Sequence, residues 1–183
     1  MKTLSRRGFF AATAAAGAAA GFFGARLVEY LGCAPDTPWR AFTAAELPVI
    51  DALAEQIVPA DDMPGAREAR VVRYIDWQLA PGAPYEGHRE GYRKGLAALD
   101  ALARKECGKG FAECAFAEQT ALLVRIDRGE IKEDGLKPFF DMVVRHVKQG
   151  FYGCPIHGGN EKYASYRMLG VAGPGCTGRN RPS

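Results

Sequence analysis

The chain has 183 residues, 24 of them Lys or Arg and 21 Asp or Glu, which gives a formal net charge of +3. The whole excess sits at the start, because Lys2, Arg6 and Arg7 are the only charged residues before Arg26. The balanced remainder lacks the basic stripe of a nucleic-acid surface, and after residue 25 no apolar run approaches the ~18 residues needed to span a bilayer.

The first element reads as an export address. Ser5-Arg6-Arg7-Gly8-Phe9-Phe10 is followed by an uncharged run from Ala11 to Ala25, with Ala18-Ala19-Ala20 as a small-residue cleavage region. A basic start, an apolar middle and small residues near the end make a signal segment. The paired arginines point to the twin-arginine route. A run built mostly from Ala and Gly also inserts poorly into a membrane. That route carries proteins already folded, so a periplasmic location and a folded cargo are expected. The predicted division is a leader over 1–33 and one domain over 34–183. Cys33, in Tyr30-Leu31-Gly32-Cys33, leaves lipid attachment, trimming, a free thiol and a bond to another chain all open.

The domain carries helical periodicity throughout. Thr43-Ala44-Ala45-Glu46 is a capping box, and Leu47, Ile50, Leu53, Ala54 and Ile57 follow on one stripe until Pro59. Pro48 argues for a start slightly later than the box. A second helix is predicted from Ala66 to Leu79, closed by Pro81-Gly82-Ala83-Pro84. Tyr92, Leu96, Leu99 and Ala103 mark a third, Phe116, Gln119, Leu122, Leu123 and Ile126 a fourth, and Phe139, Phe140, Val143, Val144 and Val147 a fifth. Without sustained two-residue alternation between turns, strands are minor at most. The prediction is an all-α, irregular bundle of about five helices with a glycine-rich C-terminal segment.

Signs of chemistry are few. His88, His146 and His157 stand far apart in sequence, with no Cys-x-x-Cys metal or haem spacing. There is no dinucleotide glycine fingerprint and no phosphate loop. Asp61-Asp62 and the acidic stretch Glu130 to Asp134 read as solvated turns rather than as a working carboxylate pair. No catalytic, cofactor-binding or metal-binding residue is therefore assigned.

The five cysteines say more, since an exported chain meets an oxidising compartment. Cys107 and Cys114 flank a short loop containing Gly108 and Gly110, and Cys154 and Cys176 flank the glycine-rich end. Both pairs are expected to bridge. Phe151, Tyr152, Pro155, His157, Gly158, Gly159 and Asn160 crowd one stretch, where paired glycines suit positive φ and close backbone approach. These residues fit two roles equally, packing on the domain's own core or meeting another protein.

The order FTAAELPVIDALAEQIVPADDMPGAREARVVRYID, then YRKGLAALD, then FF, then GFYGCPIHGGN resembles the gluconate 2-dehydrogenase subunit 3 family, from about Phe42 to Gly175. Its most telling pieces are Ile57-Val58-Pro59-Ala60-Asp61 leading to Pro64-Gly65-Ala66, and Gly150-Phe151-Tyr152 leading to Gly158-Gly159-Asn160. His157 stands where the family more often has Tyr. The resemblance implies a non-catalytic small subunit that carries the export signal and helps a partner fold. That partner would be a large FAD-binding flavoprotein of the glucose-methanol-choline type, with a multi-haem cytochrome c subunit passing electrons to the membrane quinone pool. No cofactor would then reside in this chain. Two other readings stay open: a free-standing periplasmic enzyme with an unrecognised site, and a non-redox periplasmic scaffold.

Overall fold

Helix α1 (Glu46–Ile57) opens as the capping box requires. The Thr43 N–H donates to Glu46 Oε2 at 2.8 Å, and the Glu46 N–H donates back to Thr43 Oγ1 at 3.3 Å. Pro48 has no N–H, so the regular ladder counts from Glu46 while the Thr43 turn precedes it. The computed structural model describes residues 38–170. The export residues Ser5, Arg6, Arg7, Phe9 and Phe10, together with Cys33 and Cys176, lie outside them.

Four longer helices follow as α2 (Val71–Gln78), α3 (Arg89–Cys107), α4 (Phe116–Asp127) and α5 (Leu136–Tyr152), with a short α6 (Ala164–Met168) at the end. Among the described residues there is no strand. All five expected helices are present, and α6 is additional. The second starts later than its periodicity predicts. Arg70 adopts φ 53°, and the chain around Ala66 is held back by a hydrogen bond from the Ala66 N–H to the Val58 carbonyl at 2.8 Å. Residues 66–70 therefore turn before the helix begins.

Helix α5 is the axis of the bundle and touches each of the other five α-helices. It buries Leu136, Phe139, Val143, His146, Val147, Gly150 and Phe151 along one stripe. Two glycines permit its closest approaches. A Cβ on Gly95 of α3 would lie 2.1 Å from Phe139 Cγ, and one on Gly150 would lie 2.8 Å from Tyr74 Cδ1 of α2. Side chains placed there would hold the helices apart. Phe116, expected on the core stripe of α4, is instead 54% exposed.

The segment leading into α1 is fastened to α2. Asp76 is buried, and its carboxylate accepts the successive backbone N–H groups of Arg40, Ala41 and Phe42 at 2.9–3.2 Å. The Arg73 guanidinium covers the Trp39 ring at 3.6 Å. A buried carboxylate is tolerated because three donors replace its water.

The two stretches that carried the family resemblance meet in space. Glu55 organises the first, its carboxylate accepting the N–H groups of Ala60 at 2.9 Å and Arg67 at 3.1 Å, while Asp61 closes a turn by accepting the Met63 N–H at 2.8 Å. In the second, Gly158 has φ 94° and Asn160 has φ 50°. Gly159 is constrained differently from the positive φ expected of it. Its Cβ would lie 2.2 Å from the Gly150 carbonyl oxygen, so it is small because backbone packs on backbone. The Glu161 N–H then donates to the Ala69 carbonyl at 3.2 Å, tying the two stretches together.

Candidate functional site: an aromatic groove at the end of helix α5

Where α5 ends at Gly153, a groove of about 540 Å³ opens between Tyr74, Tyr85, Lys148, Gln149, Tyr152 and His157. Tyr152 is 46% exposed and stands edge-on to Phe151, with ring centroids 4.9 Å apart. His157 is exposed on the turn Pro155–His157. The seven residues expected at a partner surface therefore divide. Tyr152 and His157 face outward, whereas Phe151 is fully buried in the core and Pro155 and Gly159 are buried too.

Asn160 is also fully buried, so it is corrected from a surface residue to a structural one. Its Nδ2 donates to the Gly153 carbonyl at 2.8 Å, and its Oδ1 accepts the Ser165 N–H at 2.9 Å. Lys162 and Tyr163 follow at φ 51° and 58°. Such left-handed non-glycine residues persist only where the surroundings hold them, so the turn that follows Gly159 is built under constraint.

Behind the groove lies a stack of rings. Tyr85 lies parallel to His146 with centroids 4.5 Å apart, and His146 lies near-parallel to Tyr92 at 5.9 Å. The Tyr92 hydroxyl and His146 Nδ1 are 2.9 Å apart, and the Tyr85 hydroxyl donates to Gln149 Oε1 at 3.0 Å. Phe42 and Phe139 close on Tyr92 edge-on. Burial, then the neighbouring His88 and Arg145, pushes His146 down to about 4, and burial raises the Tyr92 phenol. At neutral pH the pair is an uncharged hydrogen bond that pins α3 to α5.

His88 and His146 sit with ring centroids 5.7 Å apart, a meeting that sequence distance concealed. The usable signal was that His146 falls on the same stripe as Phe139, Val143, Val147 and Gly150. Among the described residues no group of three or more His, Cys, Asp and Glu side chains could hold a metal ion. The acidic stretch Glu130 to Asp134 lies on the connection between α4 and α5, apart from the groove.

The cysteines divide as well. Cys107 and Cys114, expected to bridge, are instead free thiols, and Cys114 is buried at the end of the turn Phe111–Glu113. Its thiol is pushed up to about 11 by burial and then by the neighbouring Cys107. Cys154 is disulfide-bonded, and its partner lies outside the described residues.

The domain is thus an all-α bundle wound on one central helix, with an exposed aromatic groove where that helix ends. The chain belongs to the gluconate 2-dehydrogenase subunit 3 family, whose model matches residues 44–175. It is thereby related to a subunit of a dehydrogenase complex. No curated protein and no solved structure matches it.

Proposed function

We propose that the chain is the non-catalytic small subunit of an exported, membrane-associated dehydrogenase acting on a sugar or polyol. In this reading the large subunit is a glucose-methanol-choline flavoprotein that holds FAD, and a cytochrome subunit holds haem c. The small subunit supplies the twin-arginine signal through Arg6 and Arg7 and steadies the flavoprotein while it folds. FAD must be loaded before export, which suits a route for folded cargo. Membership of the family over residues 44–175 is the observation that carries the proposal. In the oxidising periplasm Cys154 pairs with Cys176 and Cys107 with Cys114.

The groove at the end of α5 is the docking surface. Exposed Tyr152 and His157 supply an apolar ring and a polar tip, the kind of side chain enriched at interfaces. A double variant, Tyr152→Ala with His157→Ala, is expected to weaken flavoprotein binding at least ~10-fold, as expected for central interface residues. Its melting temperature should stay unchanged. Full binding by a well-folded double variant would remove the groove from the account. Phe151→Ala is the contrast, since it should lower the melting temperature because the ring is core.

A further inference from the structure

We infer that Cys107 and Cys114 form an exchange-competent dithiol in which Cys107 is the entry sulfur and Cys114 the resolving sulfur. The proposal deepens the pairing given above, but the chemistry stands apart from any partner. Cys107 is the last residue of α3 and is half-buried, and Cys114 is buried seven residues later, immediately before the cap of α4. The loop between them doubles back sharply. Gly108 takes φ 74°, and the Gly110 N–H donates to Glu113 Oε2 at 2.9 Å. Cys114 Sγ lies 3.4 Å from the Gly110 carbonyl oxygen and 3.9 Å from that of Lys109, and Cys107 is the neighbouring group that, after burial, raises its thiol.

Of the two, Cys107 is the one open to an incoming oxidant, here a protein or small-molecule disulfide. Its thiolate attacks one sulfur of that disulfide, the S–S bond breaks, and one thiolate leaves. The Cys114 thiolate then attacks Cys107 Sγ and expels the second. The protein loses two electrons and two protons, which end on the two released thiols. Closure joins the end of α3 to the turn whose Phe111 ring is fully buried in the core. It therefore stabilises the fold by restricting the unfolded chain.

The test incubates the full chain with oxidised glutathione and maps every cysteine by mass. A Cys107–Cys114 disulfide is expected, with the melting temperature raised by roughly 5–10 °C. The variant Cys114→Ser should accumulate one glutathione on Cys107. Cys107→Ser should acquire glutathione on Cys114 at least ~10-fold more slowly, because burial limits access. Two thiols still open to alkylation after long incubation would overturn the proposal, as would an unchanged melt on closure. Equal glutathionylation rates in the two variants would overturn the assignment of roles. None of these readouts involves the flavoprotein, so failure here is separable from failure of the docking surface.

Discussion

Replacing Gly95 by Ala adds a single methyl group to a helix interior, where Ala is favoured over Gly by about 0.8–1.0 kcal/mol. The structure reverses that sign. The new Cβ would lie 2.1, 2.3 and 2.6 Å from Phe139 Cγ, Cδ2 and Cδ1, against ordinary contacts of about 3.5–4.0 Å. Phe139 is 5% exposed and already meets Tyr92 edge-on at 5.7 Å, so its ring has no free direction. Relief requires α3 and α5 to separate, and overpacking of this kind costs roughly 1–3 kcal/mol, occasionally more. Here the misfit exceeds 1 Å, and a cost at the upper end leaves a net destabilisation of about 1–2 kcal/mol after the propensity gain. Gly91→Ala, one turn earlier, is the internal control. Its Cβ would meet only Met142 Cε at 3.8 Å, so the propensity gain should survive. Thermal and urea unfolding of both variants measures the difference. Gly95→Ala should melt roughly 2–8 °C below the parent. Adding Phe139→Leu should cost less in the Gly95→Ala background than in the parent. Equal or greater stability of Gly95→Ala would refute the packing argument at the bundle's axis.

Other outcomes follow from the buried polar groups. Burial lowers His146, so the unfolded chain binds a proton that the folded one refuses between about pH 6.5 and pH 4. Stability should thus be full above about pH 6.5 and fall as pH drops toward 4, by at most about 3 kcal/mol. His146→Gln should flatten that part of the profile in urea titrations, and an unchanged slope would discount the role of burial. Asp76→Ala strands the buried backbone N–H groups of Ala41 and Phe42 and the part-buried one of Arg40, and should cost roughly 3–5 kcal/mol by analogy with breaking a buried charged pair. It should also open the chain near Arg40 to protease, and resistance equal to the parent would contradict the tether. Gly159→Ala meets a backbone oxygen that no rotamer can move, so it should lower the melting temperature more than Gly95→Ala does.

Periodicity made the bundle readable, because a helix that buries one face must repeat its apolar residues every three or four positions. Helices α1, α3, α4 and α5 contain the expected stripes. It failed at Arg70, where a positive φ outweighed a continuous helical pattern, and at Phe116, where the stripe ran one residue past the core. The capping box held because it is a local exchange of two hydrogen bonds. The groove was half legible: aromatics and glycines marked the stretch, but nothing local distinguishes Tyr152, which faces solvent, from Phe151, which faces the core. The Tyr85, His146 and Tyr92 stack joins α3, α5 and the connection before α3, so no single window of sequence contains it. Asp76 reads as an ordinary helical carboxylate until the backbone of residues 40–42 is laid across it.

The most direct measurement of the central claim exchanges Arg6 and Arg7 for Lys in the full chain, co-produced with the flavoprotein, and assays both proteins in periplasm and cytoplasm. The exchange keeps the charge and removes the paired guanidinium groups. Both proteins should remain in the cytoplasm, with the flavoprotein loaded with FAD but unexported. A flavoprotein reaching the periplasm at its normal level would contradict the idea that this subunit carries it there.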